Sequence, residues 1–340
     1  MTTFSDRLYH LGSVPVGSSF SQPVKCYFVS KQGNDGNDGT SWERAKETIQ
    51  AGVDAANIVA NTYLDVDVYI SSGYYSETVV VSNIPQGLNY SFFIGLHATT
   101  AHYGAEVGRL RIIGTGLVHI TGGTAATKVT MEVGRPNTEL WNLEILQNTL
   151  VAAAAYTSSI NSRAPEYVAM PALMVIKENN YSAGTENGGH GSWCRFYNCD
   201  LKGAAASPYT ATGGVAAYLR GANNSRFYNC DFQNAVWGLI VAGSFIQVGH
   251  DNQVFDCRFQ GNTYDLVVGG DVHTQLIRPS FMDDGSTKVH HDDRWGASSD
   301  CCIIDANVNG ANLGTTGPAG WTAVGTKFTG ATTGDTDLSA

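Results

Sequence analysis

Two aspartates in matching places of a repeated segment are the residues best positioned for chemistry. Arg195-Phe-Tyr-Asn-Cys-Asp-Leu201 and Arg226-Phe-Tyr-Asn-Cys-Asp-Phe232 carry the same polar and aromatic run, so Asp200 and Asp231 are equivalent. On adjacent turns of a stacked β-structure they would stand about 4.8 Å apart along the backbone. That is close to the ~5–5.5 Å at which two carboxyl groups serve a retaining glycosidase as acid and nucleophile. Like charges so near each other raise one pKa, as an acid/base division of labour requires. The competing expectation is a solvated face, with Arg258 of the next copy balancing the column. Tyr197, Tyr228 and Trp237 are aromatics that could stack on sugars or line a subunit interface.

Other polar clusters promise less. His290-His-Asp-Asp293, with Asp283, Asp284 and Arg294 nearby, is the densest. Neighbouring residues of a strand point to opposite sides, which suits a solvated loop or intersubunit contact better than a metal site. The seven cysteines (26, 194, 199, 230, 257, 301 and 302) lack CxxC or zinc-type spacing. They read as buried, reduced thiols. No cofactor and no metal are expected.

The elements that must position these residues follow from repetition. Val254-Phe-Asp-Cys-Arg-Phe259 is a looser third copy, Arg278-Pro-Ser-Phe281 a degraded fourth, and Leu140-Trp-Asn-Leu-Glu-Ile145 an earlier one. Short β-rich runs bounded by Gly, Asn or Pro, at a period in the twenties to thirties, predict a solenoid. The Leu-x-x-Leu-x-Leu signature of leucine-rich repeats is absent. Phe196 and Phe227 are expected to overlie one another in the lumen. Cys199, Cys230 and Cys257 should form a ladder beside them, with Asn229 at a bend bonded to Asn198. One helix is predicted over residues 41–58, started by a Thr40/Glu43 capping box, with Trp42, Ala45, Ile49, Val53 and Ala56 on one face to close the barrel's end.

The 340-residue chain is 43% hydrophobic and 15% charged, with a net charge of -10 and no basic cluster, which argues against nucleic acid. No apolar run is long enough to span a membrane. The first twenty residues lack the features of a secretory signal.

The segment from Phe28 to Ala56, with its strand, Gly33-Asn-Asp-Gly-Asn-Asp-Gly39 turn, Trp42 and Thr48-Ile-Gln50, closely resembles the opening of pectate-lyase-like right-handed parallel β-helix proteins. Ser72-Gly-Tyr-Tyr-Ser-Glu-Thr-Val79 resembles their first coil. The resemblance covers residues 26 to about 285 and is specific for fold, while the superfamily's activities are diverse. Its esterase motif is matched only by Gly73, Tyr75 and Glu77, with Gly134-Arg-Pro136 too early, so Glu77 is expected to be a coil-turn residue. Its hydrolase motif is out of order, Gly189-His-Gly191 preceding Asp283-Asp284. Arg220 and Arg226 lack the surroundings of a lyase arginine.

The reading is therefore an all-β, right-handed parallel β-helix with a short N-terminal capping helix. Residues 1–25 form an arm, 26–285 the β-helix, and 286–340 a C-terminal segment of last coils and interchain contacts. In function the chain resembles bacteriophage virion members: a capsid decoration, spike or fibre component. The expected homotrimer would meet other virion proteins through the arm and could bind host polysaccharide. The alternative is a tailspike polysaccharide depolymerase, a hydrolase or lyase.

Overall fold

The computed structural model describes residues 25–60, 64–81, 108–122, 129–147, 171–176, 192–203, 214–242, 249–269, 271–282, 287–291, 300–309 and 321–329. Their strands form three parallel sheets of ten, nine and seven strands, plus a two-stranded ribbon. Each sheet adds one strand per coil, so the chain is a right-handed parallel β-helix.

The repeated run explains the coil. Phe196 pairs in register with Phe227 in the first sheet, and Leu201 with Phe232 in the second. Between the two sheets the chain turns at Asn142, Asn198, Asn229 and Asp256, with φ of 54°, 52°, 51° and 53°. Asn and Asp tolerate this left-handed conformation better than other residues with a Cβ. The Asn229 amide donates to Asn198 Oδ1 at 2.9 Å, and the Asn198 amide to Asn142 Oδ1 at 3.2 Å. One coil on, Arg278 forks onto Asp256 at 2.6 and 2.7 Å and continues the ladder with charge.

Inside, the rings stack as the repeat predicts. Phe196 and Phe227 lie 4.5 Å apart at 21°, and Phe232–Phe259 and Phe259–Phe281 follow at 5.0 Å. Cys199, Cys230 and Cys257 are buried beside them as free thiols. Burial pushes the Cys199 and Cys230 thiols well above their usual range. The third sheet differs from the other two. Tyr218, Ile240 and Val267 on its outward side are as buried as Leu219, Val241 and Val268 on its lumen side.

The helix departs from expectation at its start. Trp42–Arg44 is a single 3-10 turn, Ala45 is extended at ψ 150°, and the α-helix runs Ile49–Ala60. The Thr40/Glu43 box does not form, because distant groups do the capping. Glu77 accepts the Ile49 and Gln50 N–H groups at 2.9 Å, and Asp35 those of Glu47 and Thr48 at 2.8 and 2.9 Å. Ala45, Ile49, Val53 and Ala56 are buried as predicted. Trp42 instead is 44% exposed and leans on Phe28 at 4.8 Å.

The stack continues past residue 285. Cys301–Ile304 and Trp321–Val324 extend the first sheet, and Asn307–Asn309 and Lys327–Thr329 the second. Residues 1–24, nearly all of the expected arm, lie outside the described residues. So do Gly189-His-Gly191, Asp283, Asp284 and 292–299.

Candidate functional site

In the second sheet the middle residue of each short strand enters the lumen and its neighbours face outward. Register then places Tyr74, His119, Glu144, Asp200, Asp231 and Arg258 in one outward row on successive coils. Five coil steps of roughly 4.8 Å make it about 24 Å long. Asp200 and Asp231 are thus brought together as the repeat predicts, in a longer row that contains a third carboxylate.

The three carboxylates are held differently. His119 Nδ1 contacts Glu144, and Lys202, from the adjacent outward row, reaches Glu144 and also Asp200 Oδ2 at 2.8 Å. Asp231 takes two bonds from Arg258, the Nε one at 3.0 Å, and one from the Gln233 amide at 3.2 Å. Asp200 Oδ1 is buried and has no hydrogen-bond partner among the described residues. Burial raises the Asp200 carboxyl above its ordinary range; Lys202 opposes this, and Asp231 and Glu144 add to it. The Lys202 ammonium loses solvation too, but its bonds to Asp200 and Glu144 outweigh that and raise its pKa.

The row begins with an aromatic platform. Tyr74 is 73% exposed and stacks one face on the His119 ring at 4.4 Å and 9°. Its strand ends the second sheet, and among the described residues no further coil of that sheet covers the other face.

The aromatics singled out by sequence do not join this row. Tyr197 and Tyr228 lie on the outward side of the first sheet, in a continuous stack with Trp141 and Phe255. The Trp141–Tyr197, Tyr197–Tyr228 and Tyr228–Phe255 centroids are 3.8, 4.8 and 4.9 Å apart. Both faces of each tyrosine are covered by neighbouring rings, which leaves edges and hydroxyls for a ligand. Burial also pushes the Tyr197 hydroxyl up to about 12. Trp237 belongs to the third sheet and is 5% exposed, so the expectation of a surface ring fails there.

Glu77 is the helix cap described above, a structural role consistent with its expected place at a coil turn. His290 and His291 end a strand of the third sheet, and the acidic half of their cluster lies outside the described residues. Among the described residues no group of His, Cys, Asp and Glu could hold a metal ion. Sequence reasoning missed Tyr74, His119, Glu144 and Lys202. Glu144 was within reach, since the Leu140–Ile145 copy sets it over Asp200.

No family model matches the chain, and no curated protein matches it. Solved structures similar to it include the pectin methylesterase from carrot, 13% identical, TM-score 0.48, over 93% of this chain and 86% of that one. Another is the GH136 lacto-N-biosidase from Eubacterium ramulus, 13% identical, TM-score 0.49, over 89% of this chain and 55% of that one. The pectin methylesterase from Yersinia enterocolitica is 14% identical, TM-score 0.44, over 85% and 92%. Likenesses this distant carry no argument about activity.

Proposed function

We propose that the chain is a rod-like component of a bacteriophage particle, a spike, fibre or capsid decoration, that holds host-surface glycan along the outward row of its second sheet. The observation that carries the glycan reading is Asp200, a half-buried carboxylate with one oxygen unbonded, midway along a polar row that starts at a free aromatic face. Sugars offer hydroxyl donors to such a carboxylate and an apolar face to such a ring. The particle placement is supported by a stack whose backbone groups bond from coil to coil, which makes a stiff rod. In that setting the chain assembles as a homotrimer, meets other virion proteins through residues 1–25, and resides in the virion.

A second reading, hydrolysis of the bound glycan, is favoured by one contrast. Asp200 is pushed toward its protonated form, whereas Asp231 is clamped by Arg258. Unequal carboxyl groups are what an acid and its ionised partner need.

The test is binding of the purified chain to an array of bacterial surface oligosaccharides, with reducing ends followed in parallel. The expected result is binding without new reducing ends, weakened at least tenfold in Asp200→Ala. Reducing ends that vanish in Asp200→Asn would establish the hydrolase instead. Failure to bind any glycan would overturn both.

A further inference from the structure

On the outward side of the first sheet, two guanidinium groups occupy adjacent coils with no carboxylate between them. The row there reads Asp67, Arg111, Glu139, Arg195, Arg226, Gln253 and Gln275 in register. Its early members are matched. Arg111 forks onto Asp67 at 2.6 and 3.0 Å, and the Tyr69 hydroxyl donates to the same carboxylate at 2.8 Å. Glu139 accepts from Arg195 at 3.2 Å, from Arg109 at 3.5 Å and from the Trp141 indole at 3.1 Å, while Arg109 also holds Asp65 at 3.0 Å. Arg109, Arg111 and Arg195 thus share Asp65, Asp67 and Glu139.

Arg226, the next cation of the row, is unmatched. It makes no ion pair among the described residues, and its Nε is buried without an acceptor. Gln253, next along the row, gives its amide to Gln275 at 3.2 Å instead. A buried N–H without a partner and two like charges one coil apart are both unfavourable, and one bound anion relieves both. The half-buried Tyr197 and Tyr228 stand two residues further along the same strands and on the same side.

We propose that Arg226 and Arg195 form a binding site for a small oxyanion, a carboxylate or sulfate, either free or carried on an acidic sugar. The guanidinium fork matches two oxygens of such a group and leaves one anion shared between two coils. This site lies on a different sheet from the glycan row and does not depend on it.

The experiment is thermal unfolding of the whole chain with low-millimolar sulfate, acetate, glucuronate or glucose, at ionic strength matched with chloride. At these concentrations general salting effects on stability are small. Sulfate or acetate should raise Tm if the free ion is the ligand. A rise with glucuronate alone would identify the sugar-borne acid. Glucose should do nothing in either case. Arg226→Gln should weaken the response at least tenfold, and Arg226→Lys, which keeps the charge without the fork, should retain part of it. Arg278→Gln, which removes an exposed arginine already paired with Asp256, should leave it intact. The proposal is overturned if no oxyanion acts beyond chloride, or if the response survives in Arg226→Gln.

Discussion

Asp200 and Asp231 are register partners on neighbouring coils, yet Arg258 grips only Asp231, and one oxygen of Asp200 is left buried and unbonded. Identical residues in copies of one sequence run therefore meet unlike surroundings. The difference comes from what the adjacent coils place beside them: Arg258 on one side, Glu144 and Lys202 on the other.

That asymmetry has a sign in the pH dependence of stability. A carboxyl whose folded pKa is raised binds its proton more tightly in the folded state. Its contribution is most favourable below the unfolded value, ~3.9 for Asp, and is lost as pH rises through the folded value. Asp200→Asn removes that loss, so its Tm at pH 7 should equal or exceed the parent's by about 1–3 °C. The gap should close as pH falls below the ordinary carboxylate range. Thermal melts of both proteins from pH 3 to 7 check this; a large loss at pH 7 would mean that the Lys202 bond outweighs burial.

Glu77 should matter to the helix and to nothing chemical. Glu77→Ala leaves the Ile49 and Gln50 N–H groups without their acceptor, at a cost of about 1–3 kcal/mol, and Glu77→Gln should recover part of it. Urea unfolding measures the loss, and limited proteolysis should locate it at Ile49–Ala60.

The turn at Asn229 can be tested by its backbone. With φ at 51°, Ala is strained there by about 1–2 kcal/mol and also loses the amide bond to Asn198, whereas Gly loses only the bond. Asn229→Ala should therefore be the less stable variant in chemical denaturation. The opposite order would mean that chain entropy outweighs the left-handed turn.

Thiol chemistry separates lumen from surface. Cys194, Cys199, Cys230, Cys257 and Cys301 are buried, and burial raises the Cys194 thiol to about 12. Cys26 and Cys302, only partly covered, should react first with a thiol reagent in the native protein, and the buried five only after unfolding. Peptide mapping of the labelled chain decides it.

The lumen was legible in the sequence because a β-helix repeats its constraints: a Phe column, a Cys column and an Asn turn recur wherever the spacing stays near one coil. Asp200 over Asp231 followed from that alone. Tyr74 and His119 did not, since 45 residues separate these partners in adjacent coils and no period links them. The helix start was misplaced because its caps, Asp35 and Glu77, come from outside the local segment that a capping-box pattern reads. Trp237 looked like a surface ring because the adjoining stretch repeats polar coils, but its own sheet is buried on both sides.

The central claim is that glycan lies on the second sheet's row and starts at the exposed ring of Tyr74. The most direct measurement is the affinity of Tyr74→Ala and Tyr228→Ala for the same bound oligosaccharide. Tyr74→Ala should weaken binding at least tenfold and Tyr228→Ala should leave it within twofold. Loss in Tyr228→Ala with Tyr74→Ala unchanged would put the ligand on the first sheet and contradict the account.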